Sequence, residues 1–231
     1  MPCPLRHRSA GILPALLLLF LCGILCRQVF CAQDLDSVVE GLRQRYASVK
    51  TVTGDYRQIY RAPGIDQTES GVFWLKRPGL MRWECRQPEE KLFVLDGRQS
   101  FHYIPQDNQV YEQPFTAADL HSTPLEILLG TMDIRKSYTV SWEGSILPKY
   151  EETCLIRLTP RGAEPEYSYL ILELDRRTWD LRRLVIRESS GNTSEFLFTN
   201  VKTNVKIEDS KFRFKKPKGV EVIQLDNNDG L

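Results

Sequence analysis

The chain has 231 residues, 42% of them hydrophobic and 26% charged, and its 31 Lys+Arg against 30 Asp+Glu give a formal charge of +1. A balance this close to neutral argues against nucleic acid or a strongly anionic surface as partner. The length suits one domain with a sizeable core.

The N-terminus opens on the short basic stretch MPCPLRHRS, and Gly11 to Cys26 is then almost unbroken apolar sequence, with Leu16 to Phe20 its densest part. A basic start, an apolar run and small residues near Cys31-Ala32 describe a secretory signal peptide. The expected division is a signal peptide over residues 1–31 and one domain over 32–231. Cleavage after Cys31 and after Ala32 are both open. The run is shorter than the ~20 residues of a spanning helix, so an uncleaved anchor is the alternative. No cysteine there follows the small-residue pattern of a lipoprotein signal, and lipidation of the chain itself is not expected. Export would remove Arg6, Arg8 and Arg27 and no acid, leaving 28 basic against 30 acidic residues, a charge of −2. Of the 6 cysteines, Cys85 and Cys154 would remain. An oxidising compartment permits a bridge between them. The predicted strands lie far apart in the chain, however, and two separate thiols are expected.

Leu35 to Lys50 reads as an amphipathic helix. Leu35, Val38, Val39, Leu42, Tyr46 and Val49 form one stripe of 3.6-residue period, and Asp34 or Asp36 can cap it. The period then changes to two. Strands are predicted at about 51–60, 68–76, 80–87, 91–96, 99–104 and 109–113, with turn signals at Pro78-Gly79, Gln87-Pro88, Asp96-Gly97 and Pro105 to Asn108. Residues 116–136 interrupt the sheet. Thr116 to Leu120 reads as a helical turn. Thr123 to Gly130 reads as another, with a capping residue, Pro124 at the first helical position, the apolar body Leu125, Ile127 and Leu128, and a closing glycine. Strands resume at about 138–143, 152–159, 166–174, 181–188 and 193–203, with a short last one at 212–214. The expectation is a mainly β fold: an unclosed, strongly curved antiparallel barrel of about eleven strands, its concave face covered by short helices.

The densest information lies in Gly71 to Gly97. Phe73, Leu75 and Arg77 share one strand parity, and Met81, Trp83 and Cys85 share one in the next strand. An arginine closing a row of large apolar side chains needs a partner or water. A sheet enclosing an apolar space, with a polar group at its mouth, meets that description; ordinary core and a solvated turn arginine are the plainer alternatives.

Catalytic groups are scarce. Glu89-Glu90 and Glu151-Glu152 are neighbours whose side chains would point to opposite faces of a strand, and both pairs read as solvated. His121 reads as a surface or capping residue. His102 has no nucleophile or metal-ligand set at recognisable spacing. Asn192-Thr193-Ser194 matches a glycosylation acceptor, a short pattern that carries little. No catalytic residues, metal or cofactor are expected, and the chain is not expected to be an enzyme.

At this point the residues resemble a family. Tyr56-Arg-Gln-Ile-Tyr60, Gly71 with Trp74-Leu-Lys-Arg-Pro78, then Trp83, Gln87-Pro88, Asp96-Gly97, Thr123-Pro-Leu and Phe212 to Val220, in that order after an amphipathic helix, are similar to the outer-membrane lipoprotein carrier proteins of the LolA type. The resemblance implies a non-enzymatic periplasmic shuttle, expected to be monomeric. It would bury the acyl chains of lipoproteins in a cavity lined by Phe73, Leu75, Met81, Trp83, Val38 and Leu42. It would receive them from an inner-membrane ABC transporter complex and pass them to an outer-membrane receptor. Arg77 falls on the arginine that bonds to the lid and favours the closed form. The lid helix falls on Pro124, Leu125, Ile127 and Leu128. Met81 stands where many members carry an aromatic, and neither Cys85 nor Cys154 belongs to the pattern. A curved-sheet binder of another amphiphile, an outer-membrane receptor and a secreted enzyme remain as alternatives. The receptor would need a lipid anchor, and the enzyme convergent groups near His102.

Overall fold

The structure is a computed structural model that describes residues 34–115, 126–162 and 167–225. The signal-peptide reading therefore lies outside the described residues, as do Thr116 to Leu120, His121, and Thr123, Pro124 and Leu125.

The first element is helix α1 (Leu35–Ala47). It ends earlier than its apolar stripe, because Val49 N–H already closes a turn onto the Tyr46 carbonyl and Lys50 O accepts from Arg77 N–H. Six strands follow: β1 (Thr51–Ala62), β2 (Ile65–Lys76), β3 (Leu80–Gln87), β4 (Lys91–Asp96), β5 (Gln99–Ile104) and β6 (Gln109–Pro114). β1 and β2 run closer to their turn than expected, since Pro63-Gly64 suffices to connect them, with Gly64 at φ +75 and Ala62 facing Ile65. Two short helices, α2 (Glu126–Leu129) and α3 (Ile134–Ser137), precede the second run of strands: β7 (Tyr138–Trp142), β8 (Thr153–Pro160), β9 (Tyr167–Asp175), β10 (Leu181–Glu188) and β11 (Thr193–Thr203). A last short strand, β12 (Glu221–Gln224), closes the described chain.

All strands join one sheet in the order β12-β6-β5-β4-β3-β2-β1-β11-β10-β9-β8-β7. Its two ends do not pair, so the barrel is unclosed as expected. Among the described residues the sheet has 12 strands, in keeping with the expected number of about eleven. The expected strand at 212–214 is absent: Asp209–Phe212 is a 3-10 turn. Phe212 is buried there, and Phe214 stacks on Phe101 at 5.1 Å. The two aromatics thus drive this segment across the convex face instead of along an edge. The chain then turns at Gly219 (φ +79) and adds β12 parallel to β6.

Strand alternation sorts the sheet into two faces. The concave one, with α1, α2 and α3, holds the main core, from Val38 and Leu42 through Phe73 and Leu75 to Ile156, Leu172 and Phe198. Two smaller clusters lie on the convex face, around Val94, Phe101 and Val110 and around Leu155, Ile171 and Val185. Both cysteines are free and buried. They sit on β3 and β8 with five strands between them, so the two separate thiols expected from sequence are what the fold holds.

Candidate functional site: the covered concave face

Arg77 follows the last residue of β2, and its guanidinium turns toward the helices. Nε donates to the Leu129 carbonyl at 2.8 Å, Nη2 donates to the same oxygen and to Tyr46 O at 3.2 Å, and Nη1 donates to Ala47 O at 3.3 Å. These acceptors are the last carbonyls of α2 and α1. A helix C-terminus leaves its final carbonyls unpaired and carries partial negative charge. One cation therefore satisfies two helix ends at once and holds them together.

Gly130 completes the joint. It ends α2 in the left-handed region at φ +63, and a Cβ there would lie 2.4 Å from the Tyr46 carbonyl oxygen. Only glycine lets the α2 end seat against the end of α1. The middle of α1 is held by other groups. Trp179, in the β9–β10 turn, lies against Gly41 so closely that a Cβ would come within 2.4 Å of its ring. Arg45 pairs with Asp180 at 2.7 Å, and the Tyr46 hydroxyl accepts from Leu181 N–H at 3.1 Å. Burial, ahead of the nearby Asp180 charge, pushes the Tyr46 phenol up to about 12. α1 is thus tied to β9–β10 independently of Arg77, whereas the α2 end is tied by Arg77 and seated on the end of α1.

Under the helices the surface is apolar. Val38, Leu42, Phe73, Leu75, Met81, Ile127 and Leu128 belong to one buried cluster, with Trp83 packed against its margin. Every described residue proposed from sequence for the cavity or its cover is thereby brought into one place. Between α1 and the α2–α3 connection a cleft of about 290 Å³ opens to the surface, floored by Val39, Leu42, Met132 and Ile134 and rimmed by Arg43 and Arg135.

Sequence reasoning missed a second part of the face. Strand register aligns Phe73 with Trp83, Trp83 with Phe93, Phe93 with His102 and His102 with Tyr111. Ring contacts at these positions form two runs across β2–β6, Phe73–Trp83 at 5.0 Å and Phe93–His102–Tyr111 at 6.3 and 6.2 Å, which strand register alone aligns into one row. Phe73 is fully buried, and the four outer members are half-buried. The helices therefore cover the inner end of the track and leave its outer end partly open. Burial lowers the His102 pKa, helped by the Lys91 charge and opposed by Glu69, so the imidazole joins this apolar row in its neutral form. The signal for the row was present in the turn lengths, which fix hairpin register. Glu89, Glu90, Glu151 and Glu152 are exposed as expected. Among the described residues no cluster of three His, Cys, Asp or Glu could hold a metal.

An open curved sheet, largely apolar on its concave face and covered by helices whose C-terminal ends one arginine joins, has the form of a container for apolar cargo. The family model for "Outer membrane lipoprotein carrier protein LolA" matches residues 47–215, and the chain belongs to that family. An outer-membrane lipoprotein carrier protein from Bordetella avium (strain 197N) is 31% identical over 193 residues, 82% of this chain and 88% of the relative. One from Bordetella pertussis (strain Tohama I) is 29% identical over 221 residues, 95% of this chain and 98% of the relative. Among solved structures, an uncharacterized conserved protein from Thermus thermophilus superposes with a TM-score of 0.52 at 11% identity, covering 84% of this chain and 100% of its own. That likeness concerns the fold alone.

Proposed function

We propose that this chain is a periplasmic lipoprotein carrier that buries the acyl chains of its cargo on the concave face, beneath α1 and α2, and moves them between the two membranes without catalysing a reaction. The observation that carries the reading is the Arg77 joint, which closes two helix ends over a largely apolar surface. Each buried methylene of an acyl chain contributes about 0.8 kcal/mol, so two or three chains would bind almost irreversibly in a permanently open cavity. A carrier must also release. Polar contacts available only to the closed, empty form compete with cargo and lower its net affinity. Arg77 supplies such contacts here, Gly130 lets the end of α2 seat close enough to receive them, and α2 is the part that moves.

The cavity lining on this reading is Phe73, Leu75, Met81, Trp83, Val38 and Leu42, with Ile127 and Leu128 on the lid. Met81 adds a flexible, polarisable surface suited to chains of varied shape. Residues 1–31 serve as the export signal. Loading is from an inner-membrane ABC transporter and unloading is to an outer-membrane receptor. The test is mass spectrometry of organic extracts and intact complexes of the protein purified from its native periplasm. Acylated protein bound in stoichiometric amount is the expected result. A different lipid, or none, would overturn the reading.

A further inference from the structure

An unclosed sheet leaves two edges, here β12 and β7. Edge strands expose backbone N–H and C=O groups, which proteins guard with charges, prolines or short length. β12 has four residues and carries Glu221. β7 reads Tyr138-Thr-Val-Ser-Trp142, without charge or proline. Its pairing with β8 fixes which groups face outward. Arg161 N–H donates to Ser137 O and Glu143 N–H donates to Leu155 O, while Thr139 faces Thr159 and Ser141 faces Arg157. In an antiparallel pair such bonds fall on alternate residues. The odd-numbered residues therefore bond β8, and the even-numbered ones present their backbone groups at the open edge. Tyr138 is already served: its N–H donates to Ile134 O, and its carbonyl accepts from Arg161 Nε at 3.0 Å. The N–H and C=O of Val140 and of Trp142 have no partner among the described residues. The space beside them is open: a cleft of about 220 Å³ has Leu35, Val39, Val140 and Arg161 in its walls, and Thr139, Ser141 and Trp142 are exposed. Tyr138 and Val140 join the main core on the concave side, and alternation puts Trp142, 47% exposed, in the same row.

We infer that the β7 edge receives the polypeptide of the cargo: the extended segment next to the acylated residue adds to the sheet as a further strand, pairing with Val140 and Trp142 while the acyl chains lie on the concave face. The inference rests on the carrier reading and assigns a second subsite within it. A residue whose acyl chains are buried under the helices cannot belong to the folded body of the cargo, so a stretch of extended backbone must lead away from it. Val140 and Trp142 point to the same side as the acyl surface, and a strand added beside them continues that surface. In strand addition main-chain bonds supply affinity and side-chain pockets supply selectivity. Backbone groups are the same in every residue, so an uncharged edge flanked by the small polar Thr139 and Ser141 takes cargo of varied sequence. Two copies of this chain joined by so short an edge would bury far less than the ~1,200 Å² of a stable interface. Cargo needs no such area, because its acyl chains already hold it.

The probes are a synthetic diacylglyceryl-cysteine amide and the same group carrying a short uncharged peptide, each titrated into the exported chain. The peptide form is expected to bind about tenfold more tightly, the net of a few hydrogen bonds less the ordering of the peptide. N-methylation of alternate peptide amides, in each of the two possible frames, tests the pairing directly. One frame should erase the gain and the other should keep it, because only alternate N–H groups point at β7. Val140→Pro removes an outward N–H and spares the pairing with β8, as proline at a sheet edge can; it should bind the two unmethylated ligands equally. The methylated ligands decide the matter on the parent protein even where the variant fails to fold. Equal affinity of the parent for amide and peptide forms, or equal loss from both methylation frames, would overturn strand addition and leave the carrier reading intact. So would a ligand-free dimer that Val140→Pro converts to monomer, which would give the edge to a second copy. A parent protein that binds neither ligand would overturn both.

Discussion

The two ends of the curved sheet are built from different materials. In β8, β9 and β10 the concave face is aliphatic and fully buried, with Ile156, Leu158, Leu170, Leu172, Leu174 and Leu184 all at 0% exposure. Its convex face is closed by an ion network. Glu173 accepts from Lys149 N–H, Tyr150 N–H, Thr153 Oγ1 and Arg183 Nη1 at 2.8–2.9 Å, and Glu195 pairs with Arg183 at 2.9 Å and with Lys149 at 2.7 Å. β3–β6 instead present Trp83, Phe93, His102 and Tyr111, broad rings left half open. Close-packed branched chains have nowhere to go and resist change. Flat rings on one side of a groove can part and close again. One wall is therefore close-packed framework and the other a partly exposed aromatic surface, although both arise from the same alternation of apolar residues.

The sharpest way to break this contrast is in the framework. Glu173→Leu would take from Arg183 one of its two carboxylate partners, leaving Glu195, and leave two backbone N–H groups unpaired. A loss of about 3–5 kcal/mol is expected, seen as a fall in melting temperature on the order of 10 °C. Phe93→Ala on the open wall should cost clearly less stability and more acyl-probe binding. Equal stability losses in thermal melts of the two variants would erase the distinction.

Charge placed along the aromatic wall should separate its buried inner end from its open part. Met81 lies in the core with 4% exposure, whereas Trp83 is half-buried at its margin. Met81→Glu should destabilise by several kcal/mol, the cost of an unpaired buried charge. Trp83→Glu should leave the melt nearly unchanged and abolish uptake of a fluorescent acyl probe. Similar melting temperatures for the two would place Met81 against open space.

The lid joint should show itself in release rather than in folding. Arg77→Leu removes four bonds to the carbonyls of Tyr46, Ala47 and Leu129, and Gly130→Ala puts a methyl where the Tyr46 oxygen sits. Both should retain lipoprotein more tightly and deliver it to receptor-bearing liposomes at least about tenfold more slowly, since charge-assisted bonds contribute about 1.5–3 kcal/mol each. Wild-type transfer by Arg77→Leu would remove the gating role.

The smallest effect concerns acid. Burial alone would raise the Glu195 pKa, but Lys149, Arg183 and Arg61 outweigh it and hold the carboxyl below its ordinary 4.5. The folded form thus binds this proton less readily than the unfolded chain. The stabilisation is complete above about pH 4.5 and is lost as pH falls through the lowered folded value. Glu195→Gln should flatten that acid limb in denaturant melts between about pH 5 and 3; an unaltered limb would show that other carboxylates govern it.

The amino-acid sequence by itself determined the strand runs, the stripe of α1, the apolar parities of β2 and β3 and the position of Arg77, because these are short-range patterns of period 2 or 3.6 and of turn chemistry. It also carried the separation of Cys85 and Cys154. Only the tertiary structure decided what Arg77 binds. Its partners are backbone carbonyls, identical in every residue and so without a signature, brought near by helices 30 and 52 positions away. The same holds for Trp179 against Gly41, where a close approach across the fold leaves only a glycine as its trace. His102 reads in sequence as an isolated imidazole and becomes one rung of the Phe93–His102–Tyr111 row through register alone. The final strand was misplaced because Phe212 and Phe214 alternate like a strand yet pack sideways on the convex face, and β12 owes its place to pairing with a distant edge. Local periodicity specifies which face a side chain takes; which distant element it meets there depends on how the sheet curls and where the helices come to rest.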